Sequence, residues 1–342
     1  MLLSIVVPLY NEDETLPALI GAVRRALAKN YDYEVILVDD GSVDGTPDTL
    51  KRLTHEDPRL KAIFFSRNFG HQAAITAGLD FASGDAVAVM DGDLQDPPEL
   101  LPEMLTLLES GYDVVSPQRV TREGDGFFKR YSAKFFYWII RKMVDERIQN
   151  EVGDFRLFSR RAILALRSFR EQHRFMRGMV AWMGLREVIL PYHRNARVGG
   201  KTKYSTAKML RFAWTAIISF SALPLRFSVF FGFFVAACGV GVALFSIYAQ
   251  HFLKATVPGW TSLVCLNIVF SGVTLVAIGL VGEYVAHIYE EAKGRPLYVV
   301  SDSANFNAMR PHIAKAVILP PPGGGSETHY EAATRKAKAT GL

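Results

Sequence analysis

The chain has 342 residues, which at about 150 residues per domain leaves room for two domains. Its 39 Lys and Arg against 34 Asp and Glu give a formal net charge of +5, a mildly basic balance that suits phosphate ligands or an anionic membrane surface. The basic residues gather near hydrophobic segments, so nucleic acid is not expected as a partner, and Cys238 and Cys265 stand inside apolar runs, which excludes a disulfide framework and a metal knuckle.

Met1 to Val7 lacks a basic n-region and meets Pro8 too soon for a signal peptide, so it reads as a first strand. The segment Ser4-Ile-Val-Val-Pro-Leu-Tyr-Asn-Glu12 closes that strand on polar residues. Thr15 to Lys29 follows with Leu16, Leu19, Ile20, Val23 and Leu27 at helical spacing. Glu34 to Ser42 repeats the pattern, a buried strand and then acids and a turn. A helix over Gly45 to His55 leads to a third strand, Lys61 to Phe65. Phe69 to Ala82 reads as helix, and Gly84 resets the chain before a fourth strand, Ala86 to Met90.

Strand and helix in alternation predict an α/β protein with a doubly wound parallel sheet, whose ligands bind beyond the carboxyl ends of the strands. Asn11-Glu12, Asp39-Asp40 and Asp91-Gly92-Asp93 all fall at such ends. Any one of these pairs could cap a helix; the three together mark a site. No G-x-G-x-x-G follows the first strand, which argues against a nicotinamide cofactor. Gly199-Gly-Lys-Thr202 has no preceding strand and reads as a loop.

The stretch Val87 to Pro98 is the centre of the pattern. Asp91, Asp93 and Gln95 are spaced i, i+2, i+4, so an extended backbone would point all three oxygens to one side. Three hard oxygen ligands suit Mg²⁺ or Mn²⁺, the partners of diphosphates. Gly92 allows a close approach to the backbone, and Pro97-Pro98 ends the extended run.

Val-Val-Pro-Leu-Tyr-Asn-Glu12, Val-Asp-Asp-Gly-Ser-Val-Asp-Gly-Thr46, Asn68-Phe-Gly-His71 and Asp91-Gly-Asp-Leu-Gln-Asp-Pro-Pro98 together resemble the family-2 glycosyltransferases. Within that family the chain is most similar to the polyprenyl-phosphate glycosyltransferases, relatives of dolichol-phosphate mannose synthase, over residues 3 to 300. The resemblance implies a GT-A fold and inverting transfer of a sugar from a nucleotide sugar. By resemblance Pro8, Tyr10, Glu12, Asp39 and Asp40, with Lys203, bind the nucleotide sugar. Asp91, Asp93 and Gln95 hold the metal, and Asp154 joins Asp91 and Asp93 as a catalytic residue. Gly92 stands where relatives often carry Ala.

Asp113 to Arg119 reads as a further strand. On a helix over Phe127 to Lys142, Arg130, Lys134 and Arg141 fall on one side and Phe128, Tyr131, Phe135, Trp138 and Ile139 on another. Such a helix could lie in a membrane interface or pack as an ordinary amphipathic helix. In relatives this region meets the lipid phosphate, so Arg119, Arg130 and Lys134 are assigned to the acceptor. Asp154-Phe-Arg-Leu-Phe158 resembles the segment lining the transfer site, with Arg156 as a possible ion-pair partner of Asp154. The loop Arg194 to Tyr204 carries Arg194, Arg197, Lys201 and Lys203. It reads either as a lid that orders over the donor or as a solvated basic loop.

Phe227 to Tyr248 and Thr261 to Gly282 are uncharged and long enough to span a bilayer. Arg211 and Arg226 before them and Lys293 and Arg295 after them place both ends in the cytosol. Glycines at 232, 239, 241, 272 and 279 suit helix packing and a homo-oligomer. The expected organisation is a cytosolic GT-A catalytic domain (1–202), a juxtamembrane amphipathic helix (203–226), a two-helix transmembrane hairpin (227–286) and a largely disordered cytosolic tail (287–342). The expected activity is transfer of a hexose, UDP-glucose being the favoured donor, to undecaprenyl phosphate at the plasma membrane, for a cell-envelope glycan. GDP-mannose or a UDP-linked aminoarabinose, galacturonate or N-acetylhexosamine are alternative donors. A membrane-anchored nucleotide-sugar sensor or flippase subunit is the non-enzymatic alternative.

Overall fold

The computed structural model describes residues 1–27, 31–119, 152–192, 223–252, 259–306 and 316–318. In chain order the elements are β1 (Leu2–Leu9), α1 (Leu16–Leu27), β2 (Asp32–Asp39), α2 (Thr46–Glu56), β3 (Leu60–Phe65), α3 (His71–Phe81) and β4 (Ala86–Val89). Next come α4 (Leu101–Glu109), β5 (Val114–Arg119), β6 (Arg156–Ser159), α5 (Arg160–Ser168), α6 (Met176–Met183) and β7 (Glu187–Tyr192). The chain closes with α7 (Leu223–Phe252), α8 (Gly259–Ala292), β8 (Tyr298–Ala304) and β9 (Ala316–Ile318).

A strand with no polar face must be covered on both sides. In β1, Leu3, Ile5, Val7 and Leu9 turn to one face, where Leu16, Leu19 and Ile20 of α1 and Leu101, Met104 and Leu105 of α4 pack. Val6 turns to the other, against Ala74, Ile75 and Ala77 of α3, with Ile163 of α5 and Met179 of α6 in the same layer. Gly78 lets α3 approach closely, since a Cβ there would stand 2.1 Å from Val6 Cγ1.

The sheet has nine strands in the order β7-β5-β6-β4-β1-β2-β3-β8-β9. β4, β1, β2 and β3 run parallel, so their carboxyl ends share one edge. β6 runs antiparallel to β4 and β5, and β8 antiparallel to β3. This is the mostly parallel α/β sheet expected of a GT-A fold.

Three expectations meet corrections. Strand β8 occupies part of the segment read as a disordered tail: Val300, Asp302, Ser303 and Ala304 pair with β3, and short β9 pairs with β8. Its polar second half, Ser301-Asp302-Ser303, hides the strand from a search for apolar runs. Tyr298 anchors it, stacked on Phe65 with ring centroids 5.2 Å apart and donating its hydroxyl to Asp80 Oδ2 at 2.9 Å. The helices α7 and α8 also outrun the uncharged segments that announced them. The extra turns of α8 are polar, and Gln172 Nε2 donates to Arg295 O just beyond them at 2.6 Å, while the Gln172 amide donates to Glu291. The third concerns the acidic stretch and is described with the site.

Windows Leu223–Val242 and Val269–Ala292 are long and apolar enough to cross a membrane. Phe227, Phe230 and Phe233 are more than two-thirds exposed, a surface that water would not tolerate and lipid does. The chain is thus membrane-associated. The amphipathic segment 127–142, the basic segment 194–204, most of the juxtamembrane stretch, residues 253–258 and the tail from 319 on lie outside the described residues.

Candidate active site

The carboxyl edge of the sheet collects the acids. Beyond β1, Asn11 takes a left-handed φ of 55°, and its Oδ1 accepts the Val43 amide at 3.0 Å. The Asn11 amide donates to Ser42 Oγ at 2.9 Å, and that of Glu12 to Thr46 Oγ1 at 3.0 Å. The loops after β1 and β2 are therefore stitched together. Tyr10 stands 40% exposed above this seam, with Pro8 buried in the strand beneath it. Asp39 is buried and accepts the Ser42 amide at 3.2 Å. Asp40 is buried too and accepts the Phe69 and Gly70 amides at 2.6 and 2.9 Å. Burial pushes both carboxyls up.

Asp40 thereby builds the turn that presents His71. Gly70, at φ 102°, is in a region closed to most side chains, and α3 starts at the next residue. His71 Nε2 stands 3.3 Å from Asp154 Oδ2 and 3.6 Å from Asp91 Oδ1. Gln72 Nε2 also donates to Asp154 Oδ2, at 3.2 Å, while its Oε1 accepts the Met176 amide at 3.2 Å. Arg177, in the first turn of α6, brings Nε to 3.5 Å from Asp154 Oδ1. Burial opposes the charged form of both Asp154 and His71. His71, Arg177 and Arg156 nonetheless hold the Asp154 carboxyl well below its usual range, and Asp154, Asp91 and Asp40 hold the imidazolium above its own.

The acidic stretch is not extended, which corrects the alternation argument. β4 ends at Val89, Leu94 takes a left-handed φ of 58°, and the Asp93 carboxylate accepts the Gln95 amide at 3.2 Å. The turn closes because Asp93 caps its own backbone two residues on, a local bond that competes with strand geometry. Asp96, fully buried, holds the loop from below: its Oδ1 accepts the Tyr192 hydroxyl at 3.1 Å and lies 3.7 Å from Arg119 Nη2. Asp91 Oδ1 and Gln95 Oε1 are sealed from solvent without a hydrogen-bond partner. Burial, Asp96, Asp154 and Asp93 push the Asp91 carboxyl up to about 7, against the pull of His71.

Residues 4–167 match the family described as glycosyl transferase family 2. The chain is 40% identical over 308 residues to the uncharacterized glycosyltransferase YkcC of Bacillus subtilis, covering 90% of this chain and 95% of that one. It is 37% identical over 308 residues to the SfII prophage-derived bactoprenol glucosyl transferase of Shigella flexneri, covering 90% of this chain and all of that one. The chain belongs to glycosyl transferase family 2. A more distant likeness joins this family 2 glycosyltransferase to glucosyl-3-phosphoglycerate synthase from Mycobacterium tuberculosis in complex with Mn²⁺, uridine diphosphate and glucosyl-3-phosphoglycerate. There the TM-score is 0.45 at 17% identity, over 63% of this chain and 77% of that chain.

For a family 2 glycosyltransferase the donor set is chemically apt. Two sealed oxygens without a hydrogen bond, in a crowd of acids, are what a hard divalent cation binds. Among the described residues no three His, Cys, Asp or Glu side chains form a ready metal cage. The structure brings Asp91, Asp93, Gln95 and Asp154 to one edge and adds His71, Gln72, Asp96, Arg177 and Tyr192, to which sequence reasoning gave no role. His71 and Asp96 stood inside the motifs that carry the resemblance, and Arg177 in the basic segment Arg174-Phe-Met-Arg177. Tyr192 had no signal. Arg119 is engaged with Asp96 and, through Nε, with Tyr192 Oη at 3.3 Å. Arg130, Lys134 and Lys203 lie outside the described residues.

Proposed function

We propose that this glycosyltransferase moves a glucosyl residue from UDP-glucose to undecaprenyl phosphate at the cytosolic face of the plasma membrane, with inversion. The observation that carries the reading is the pair of sealed oxygens without a hydrogen bond, Asp91 Oδ1 and Gln95 Oε1, with His71 Nε2 3.6 Å from the first. Relatives named for bactoprenol, and two helices fit to cross a membrane, support a polyprenyl-phosphate acceptor.

Asp91, Asp93 and Gln95 would hold Mg²⁺ or Mn²⁺, which neutralises charge on a leaving diphosphate. Tyr10, Pro8, Glu12, Asp39 and Asp40 shape the nucleotide end, with Lys203 from the basic loop. Asp154 fixes His71 and Arg177, so an imidazole and a guanidinium face the region where diphosphate charge develops. The acceptor oxygen attacks the anomeric carbon and forms the new bond as the bond to UDP breaks, with UDP keeping the electron pair. A phosphate monoester has a second pKa of about 6, so it arrives ionised and no strong base has to take a proton. Arg119, Arg130 and Lys134 would meet that phosphate.

The test is a donor panel on the full chain in detergent. UDP release from UDP-glucose should require undecaprenyl phosphate and yield a lipid-linked glucose. Equal release without lipid would overturn the acceptor, and preference for another donor would overturn the sugar.

A further inference from the structure

Arg156 has no part in the scheme above. It opens β6 opposite Val89 of β4, two residues beyond Asp154. Its side chain is 3% exposed, and Nε and Nη1 are sealed from solvent with no hydrogen-bond partner. Glu187 lies 4.0 Å from Nη1, beyond hydrogen-bond reach, and already accepts the Ser116 hydroxyl at 2.5 Å. Asp154 attracts Arg156 only through space and is itself engaged by His71, Gln72 and Arg177. Arg177 repels it.

A guanidinium carries five donors and cannot shed its charge. Burying one short of acceptors is costly, and core packing has no use for it. Such a cost persists where a ligand brings the missing oxygens. A sugar hydroxyl would leave the charge unmatched, whereas a phosphoryl group offers charge and two oxygens to a planar fork. Asp154 and Arg177, with side chains 15% and 26% exposed, mark the side from which a ligand approaches.

We propose that Arg156 is a phosphate-binding residue of this site, its free donors reserved for a phosphoryl oxygen of the diphosphate donor or of the phosphate acceptor. The inference rests on the phosphorylated substrates of the proposed function. Its first test needs no turnover.

The full chain in detergent is compared with the variant Arg156→Met/Glu187→Gln, in which Glu187 is not left as a stranded carboxylate. Thermal unfolding is followed with and without millimolar inorganic phosphate. The variant should melt no lower than the wild type without phosphate, and the rise that phosphate gives the wild type should be largely lost. An equal phosphate response in both proteins overturns the proposal. If the double variant does not fold, Arg156→Lys takes its place, and its response should be weakened.

Kinetics then separate the sources. A rise of about tenfold or more in the KM for undecaprenyl phosphate, with UDP-glucose affinity held, assigns the acceptor, and the opposite split assigns the donor. Both KM values unchanged would overturn the role in the reaction. If the wild type shows no lipid-dependent UDP release but the phosphate response still vanishes in the variant, the acceptor reading fails and the anion site stands.

Discussion

His71 Nε2 lies 3.3 Å from Asp154 Oδ2, so the first residue of α3 and a residue just ahead of β6 close an ion pair over the head of the sheet. Neither side chain reaches the other by local structure. The Gly70 turn, braced by Asp40, and the antiparallel pairing of β6 with β4 bring them together.

Replacing Asp154 by Asn should therefore lower the His71 pKa toward its ordinary value, read by NMR titration of the ring. His71 is raised in the folded state, so its stabilisation is complete below about pH 6.5 and fades as pH rises through the raised value. Unfolding temperatures across that window should fall more for the wild type than for Asp154→Asn. Parallel curves would show that the pair is not coupled.

Asp91 gives a slope of the same sign in a lower window. Its carboxyl titrates at about 7, so between about pH 4 and 7 the unfolded chain has lost a proton that the folded chain keeps. Stability should fall across that range and level off above it. Asp91→Asn should flatten the decline. Mn²⁺ should raise the melting temperature of the wild type above pH 7 and leave the variant unmoved.

Transfer should cease in EDTA and return with Mg²⁺ or Mn²⁺. Asp93→Asn should cut kcat/KM by ~100-fold or more, as the loss of a group that stabilises developing charge does. Full turnover in EDTA would remove the metal from the mechanism.

Orientation in the membrane is testable by labelling. In a background lacking Cys238 and Cys265, a Cys at Thr256 should react from outside the cell and one at Ser326 should not. The reverse pattern would turn the hairpin over.

Arg130→Ala should weaken use of the lipid by ~1.5–3 kcal/mol in kcat/KM, typical of a hydrogen bond to a charged group. UDP-glucose binding, measured by calorimetry without lipid, should hardly change. Lost donor affinity at a constant lipid KM would move Arg130 to the donor.

The half-site built on strands was legible in the sequence, because buried parallel strands are continuous apolar runs and their ends announce themselves with acids. Val35 to Val38 followed by Asp39-Asp40 is such a signal. The alternation rule failed at Asp91 to Gln95, where a side-chain cap on the Gln95 amide outweighed strand geometry. Tyr192 was invisible and the basic segment ending at Arg177 gave no hint of Asp154, because each reaches the site by tertiary packing. β8 was missed because its apolar run, Leu297 to Val300, is only four residues long and gives way to the polar Ser301 to Ser303.

That last strand bears on how the protein is made. β3 acquires its outer neighbour only from chain that follows both long apolar helices. A nascent polypeptide that has emerged as far as α6 has its acidic edge but an unguarded strand, with the backbone groups of Ala62 to Phe65 open to any other extended segment. The outer border of β3 is thus closed only once both long apolar helices have been synthesised, and a chain cut short ahead of Tyr298 leaves it open.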